Sequence, residues 1–135
     1  MALYSSELLG IDKKTMGKRI LVLDDDQDIL DIVTYILTED GYEVKVLADG
    51  HQVAAAIQQF DPALVLMDVM LADLDGRVIC RHLKDTLETS HIPVILISGT
   101  HDLAATLHQQ GAPNDFMAKP FDLDILLAKI KAQLV

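Results

Sequence analysis

The sequence predicts an α/β domain: an open, doubly wound parallel sheet of five strands with five helices on its two faces. Three observations predict it. The chain has 135 residues, one domain's worth. From Arg19 onward, short continuous apolar runs alternate with stretches of helical spacing, the pattern of repeated βα units. Half of the residues are apolar but only 4% are aromatic, so the core is aliphatic, as suits a buried parallel sheet.

Ile20 to Leu23 forms the first strand, closed by Asp24, Asp25 and Asp26. Ile29, Leu30, Val33, Ile36 and Leu37 then share one face of an amphipathic helix that Gly41 ends. Tyr42 to Leu47 alternates charged and apolar residues, as a half-exposed strand near a sheet edge does, and Asp49-Gly50 turns the chain. Val53, Ile57 and Phe60 mark the second helix, which Asp61-Pro62 stops. Ala63 to Met67 is wholly apolar and therefore central, and it delivers Asp68 at its carboxyl end. A loop to Asp75 closes at Gly76, and Val78, Ile79 and Leu83 mark the third helix. Pro93 opens a fourth strand, Val94 to Ile97, ending at Ser98-Gly99. A short helix around Leu103 and Leu107 follows. Phe116 to Ala118 is the fifth strand and ends at Lys119-Pro120; Asp122 caps a last helix striped by Leu123, Leu126, Leu127, Ile130 and Leu134.

In such sheets, ligands bind outside the carboxyl ends of the strands. Asp24, Asp25, Asp68, Ser98 and Lys119 each end an apolar run there, and five coordinated polar endings carry more information than any one of them. Taken alone, each has a plain structural reading: a turn aspartate, a strand-end serine, a surface lysine. Asp26 is read in that way, as the cap of the first helix. Gathered at ~4 Å in an effective dielectric of ~20, each pair of carboxylates repels by about 4 kcal/mol, so a cation is required. Mg²⁺ suits such oxygen donors and a phosphate partner. Lys119 supplies a fixed positive charge and Ser98 a hydroxyl donor for two oxygens of a phosphoryl group in transfer. Met70, in the loop after Asp68, offers a backbone carbonyl to the metal.

The net charge of −10 opposes direct binding of nucleic acid. No apolar run approaches the ~20 residues that span a bilayer, so no membrane role is expected. The single cysteine, Cys80, excludes an internal disulfide and a multi-cysteine zinc site; it is read as packing, with a cytoplasmic home by default. The histidines at 51, 82, 91, 101 and 108 are read as surface residues. Residues 1–18 form an extension without the features of a secretory signal, read as native, as following an upstream start, or as a cloning remnant.

From Arg19 to Val135 the chain resembles the response-regulator receiver family of two-component signal transduction. The matching text is Ile20-Leu21-Val22-Leu23-Asp24-Asp25-Asp26, Leu66-Met67-Asp68 with Asp75-Gly76, Pro93 to Gly99, and Lys119-Pro120-Phe121, specific in this order and spacing. The resemblance implies a flavodoxin-like sheet of order 2-1-3-4-5 and a phosphoacceptor module rather than an enzyme. It implies that Asp68 takes the phosphoryl group from a sensor histidine kinase or histidine phosphotransfer protein, and that Asp25 and Asp68 hold Mg²⁺, with Asp24 acting through water and Met70 through its carbonyl. On the same resemblance Ser98 and Phe116 are expected to form the switch, Lys119 to bind a phosphoryl oxygen, and the Lys119–Pro120 bond to be cis. The fourth helix, fifth strand and fifth helix face a downstream protein, with phosphorylation-linked homodimerisation as a further expectation. Ala72 stands where the family often has proline. Met70 and Thr100 occupy positions that tune the lifetime of the phosphorylated state.

Three rivals stand beside this reading. Asp24-Asp25-Asp26 contains the Asp-x-Asp of a haloacid-dehalogenase-like phosphatase, with Asp24 as nucleophile and Asp26 as acid and base. A flavodoxin-like FMN carrier shares the topology, although acids after the first strand repel its phosphate. The last rival is a receiver used only as a non-phosphorylated scaffold.

Overall fold

The computed structural model describes residues 16–99 and 111–134. The predicted helix around Leu103 and Leu107, together with His101, His108 and most of the N-terminal extension, lies outside them. The order is β1 (Arg19–Leu23), α1 (Gln27–Glu39), β2 (Glu43–Leu47), a 3₁₀ turn (Gly50–Gln52), α2 (Val53–Phe60), β3 (Leu64–Asp68), β4 (Met70–Leu71), β5 (Leu74–Asp75), α3 (Gly76–Asp85), β6 (Val94–Ser98), β7 (Asp115–Ala118) and α4 (Leu123–Gln133). β4 and β5 form a two-residue antiparallel pair inside the loop after β3. The main sheet therefore has five strands, in the order β2-β1-β3-β6-β7, all paired in parallel. This is the predicted order 2-1-3-4-5, counting β6 and β7 as the fourth and fifth strands.

Alternation along the strands divides the core. Leu21, Leu23, Val65, Met67, Val94 and Leu96 pack toward α2 and α3, with Val53, Ala56, Ile57, Cys80 and Leu83. Ile20, Val22, Leu64, Leu66, Ile95 and Ile97 face α1 and α4, meeting Leu30, Val33, Leu37, Leu126 and Ile130. β3 and β6 are buried along their whole length, whereas β2 is a half-exposed edge, as its charged alternation requires. Val78 corrects the reading of the third helix. It is 55% exposed, and the inward face is Gly76, Cys80 and Leu83. The helix begins at Gly76 itself, and this phase turns Val78 away from the sheet. Burial pushes the Cys80 thiol up to about 11, so it is a packing group and a poor nucleophile at neutral pH.

The acids after the strands divide into two kinds. Asp26, Asp49, Asp75 and Asp122 cap the helical turns that follow, accepting amide hydrogen bonds from residues two or three positions on. Asp24, Asp25 and Asp68 are left for the carboxyl edge.

Gly76 is fixed by contact. A Cβ there would collide with the Asp68 carbonyl oxygen and crowd the Val69 Cα, while the Gly76 N–H donates to the Val69 carbonyl at 2.7 Å. Helix propensity favours alanine by about 0.5–1 kcal/mol. Backbone overpacking costs about 1–3 kcal/mol and wins, because the opposing atoms are not a flexible side-chain end. Gly76→Ala is therefore expected to lower the urea midpoint of unfolding; an equal or higher midpoint would remove this role for the glycine.

Candidate phosphoacceptor site

Parallel pairing brings the strand ends together. The Asp24 N–H donates to the Leu47 carbonyl at 3.1 Å, Val69 N–H to Ile97 at 2.9 Å, and Lys119 N–H to Ser98 at 2.8 Å. Asp68 is registered with Ile97 and Ser98 with Ala118, so each polar residue leaves its strand at nearly the same level. Carboxylate oxygens of Asp24, Asp25 and Asp68 lie within 4.8 Å of one another. The Lys119 ammonium donates to Asp68 Oδ2 at 2.8 Å and to Asp24 Oδ2 at 3.2 Å. Asp24, Asp68 and Ser98 are buried and Asp25 is exposed, so the cleft has a closed floor and an open side.

The electrostatics follow from this packing. Burial raises the Asp24 carboxyl above its ordinary 3.8, and the charge of Asp68 adds to it; the Asp26 amide and Lys119 oppose the rise without cancelling it. For Lys119, burial alone would lower the proton affinity, but the hydrogen bond to Asp68 and the charges of both acids raise it above 10.5. One ammonium among several carboxylates is held charged, while a carboxylate buried beside another is penalised for its charge.

The raised carboxyl has a sign for stability. A folded carboxyl that binds its proton more tightly than the unfolded one weakens the fold once ionised. The penalty is absent below the ordinary 3.8 and complete above the folded value. Asp24→Asn keeps an acceptor for the Asp26 amide, which donates to Asp24 Oδ1 at 2.9 Å, and removes the charge. The metal-free variant is expected to be more stable than wild type at neutral pH, with the gain fading as pH falls toward ~4. A variant destabilised across that whole range would contradict the electrostatic reading.

The loop after β3 is tied to this cluster. Met70 N–H donates to Asp68 Oδ1 at 3.1 Å and Ala72 N–H to Asp25 Oδ2 at 3.3 Å, with Ala72 in the left-handed region at φ 55°. The Met70 side chain is exposed, and the Lys119–Pro120 peptide is cis. Phe116 is partly buried and packs against the core on the α2 and α3 side. It also borders a groove of about 270 Å³ with Met117, Pro120, Phe121 and Ile125. Asp26, the acid and base of the phosphatase reading, is occupied as the α1 cap, its carboxylate accepting from the Asp28 and Ile29 amides. A hollow of about 430 Å³ lies at the opposite, amino end of the strands, lined by Lys18, Arg19, Asp61, His91 and Pro93 among others; among the described residues no cluster of acids like that of Asp24, Asp25 and Asp68 converges there.

The donor set fits a hard divalent ion. Carboxylate oxygens of Asp24, Asp25 and Asp68 within 4.8 Å of one another could share such an ion, which would offset their mutual repulsion. Their oxygen-only chemistry suits Mg²⁺ better than a softer metal.

Fold and site together define a doubly wound α/β domain with an acidic, lysine-braced cleft at the switch point of its sheet. The response regulator receiver domain family matches residues 20–131, and the chain belongs to that family, the receiver module of two-component signalling. Over 121 residues it is 33% identical to the DNA-binding response regulator MtrA of Mycolicibacterium smegmatis, a match covering 89% of this chain and 52% of that protein. It is 35% identical over 118 residues to the DNA-binding dual master transcriptional regulator RpaA of Synechocystis, covering 86% of this chain and 48% of that one. The chain thus spans about half the length of these relatives. Among solved structures, a CheY-like receiver domain protein from Methanospirillum hungatei superposes with a TM-score of 0.79 at 30% identity, covering 87% of this chain and 94% of its own. The receiver domain of a Pseudomonas aeruginosa sensor histidine kinase, solved with magnesium coordinated in its active site cleft, gives 0.75 at 25% identity, covering 87% and 98%.

Proposed function

We propose that this domain, residues 19–135 with 1–18 as an extension, accepts a phosphoryl group on Asp68 from a phosphohistidine of a sensor histidine kinase or a histidine phosphotransfer protein. The observation that carries the reading is the double contact of Lys119 with Asp68 and Asp24, beside a third carboxylate close enough to share an ion. An Asp68 carboxylate oxygen attacks phosphorus, the phosphorus–nitrogen bond of the donor breaks, and the released imidazole nitrogen takes a proton from water. Asp25 and Asp68 would hold Mg²⁺ directly, with Asp24 through water and Met70 through its carbonyl, and the bound ion would supply charge neutralisation for an incoming phosphate.

Lys119 binds one phosphoryl oxygen and the Ser98 hydroxyl another. Phe116 follows Ser98, shifting a two-state equilibrium that the face containing β7 and α4 presents to a downstream protein. Chemistry is confined to this self-catalysed gain and loss of phosphate. The net charge of −10 argues for a protein rather than a nucleic acid as the direct partner of this segment. The DNA binding named for MtrA and RpaA belongs to proteins about twice as long. A cytoplasmic home suits such partners, and no helix of the described residues is long and apolar enough to cross a membrane.

The test is incubation with acetyl phosphate, with and without Mg²⁺, followed by intact mass measurement. One phosphoryl increment that needs Mg²⁺ and is lost to hydroxylamine supports the proposal. No increment at any Mg²⁺ concentration would favour the scaffold reading.

A further inference from the structure

The loop that carries Met70 and Ala72 past the acidic cleft is approached by His51 of the β2–α2 turn. Its Nδ1 lies 2.8 Å from Asp49 Oδ1 in its own turn, and its Nε2 lies 3.7 Å from Asp73 Oδ2 in the loop. Turn and loop are also in close apolar contact. A Cβ on Gly50 would meet Leu74 at 3.0 Å, Ile79 at 3.1 Å and Leu71 at 3.4 Å, so the imidazole spans two segments already packed together. Asp73 follows Ala72, whose N–H is bonded to Asp25. Movement at Asp73 therefore reaches the cleft through one residue.

The chemistry of the imidazole makes this bridge conditional. A neutral ring has one N–H and one lone pair, and both its neighbours are ionised carboxylates that only accept. With Nδ1–H given to Asp49, a neutral His51 would turn a lone pair toward Asp73, and only the imidazolium attracts both. We propose that His51 is a proton-operated tether, holding the loop beside the phosphoacceptor to the β2–α2 turn when protonated and releasing it when neutral. The ring's proton affinity lies above its ordinary 6.5, raised first by the hydrogen bond to Asp49 and then by the charges of Asp73 and Asp49. The next acid of the loop, Asp75, is engaged by Arg77 at 2.7 Å. The tether's contribution is complete below the ordinary imidazole value and is lost as pH rises through the folded one.

The test uses the whole metal-free protein with no phosphodonor, so its outcome is separate from whether Asp68 is phosphorylated. Amide protection of Ala72 to Leu74, corrected for intrinsic exchange, is compared at about pH 6 and about pH 8.5, on either side of the imidazole range. In wild type it is expected to fall about two- to fivefold, as befits an exposed ion pair. In His51→Gln and in Asp73→Asn it is expected to be flat, and Asp73→Asn should lower the pH at which the His51 ring titrates. The same fall in His51→Gln as in wild type, a flat profile in wild type, or an unchanged ring titration in Asp73→Asn would each overturn the tether.

Discussion

Asp68→Asn is expected to abolish covalent phosphate uptake while leaving the fold intact. The substitution is nearly isosteric, and the Asn oxygen can still accept the Met70 amide, now at 3.1 Å from Asp68 Oδ1. What disappears is the proposed nucleophile, since an amide oxygen cannot form the acyl phosphate. Because the whole covalent step runs through one atom, the expected effect is complete loss of the phosphoryl increment under conditions where wild type is saturated. Asp24→Asn, run beside it, keeps Asp68 and is expected to retain some uptake. Label retained by the Asp68 variant but lost from the Asp24 variant would revive the phosphatase reading. The position of Asp26 argues against that outcome, because its carboxylate is committed to the α1 amides.

Lys119→Met ranks second in expected size. The ammonium sits 2.8 Å from Asp68 and 3.2 Å from Asp24, with its side chain 25% exposed. Methionine keeps much of the length and removes the charge. Deleting one preorganised charge that stabilises a transition state typically costs ~10²- to 10³-fold in rate, and that loss is expected in phosphorylation by acetyl phosphate. Mg²⁺ affinity should move the other way, since a cation competing for the same carboxylates is gone. Lys119→Arg is not expected to restore the rate, because a planar fork cannot stand in for a compact point charge in so small a cleft. A Lys119→Met rate within a few-fold of wild type, or weakened Mg²⁺ binding, would show that the lysine has a structural role only.

Much of this was legible in the sequence because strand ends in a parallel sheet are physically marked. The runs before Asp24, Asp68 and Ser98 are continuous and apolar since those strands are buried almost throughout, while the run before Lys119 is short and only half-buried; the first polar residue after each run marks the carboxyl edge. The role of Asp26 as a cap was readable for a related reason: an acid just before a helical stripe has amides to accept. Other features carried no such signal. The β4–β5 pair has two residues in each strand, too few to show a period. Val78 misled because the phase of a helix depends on where it starts, and α3 starts on the loop glycine. The contacts of Ala72 with Asp25 and of His51 with Asp73 join residues far apart in sequence through side chains that look like ordinary surface groups. The same holds for Lys84, whose ammonium closes the α3–β6 connection on the Ile92 carbonyl at 2.8 Å.

Borohydride reduction of the acetyl-phosphate-treated protein, followed by peptide mapping, tests the central claim most directly, because it converts an aspartyl phosphate to homoserine at the residue that carried it. With Mg²⁺ present, homoserine is expected at position 68 alone, and with the metal chelated at none. Homoserine at position 24 or 25, or at 68 to the same extent without Mg²⁺, would contradict the reading of this cleft as a metal-dependent phosphoacceptor centred on Asp68.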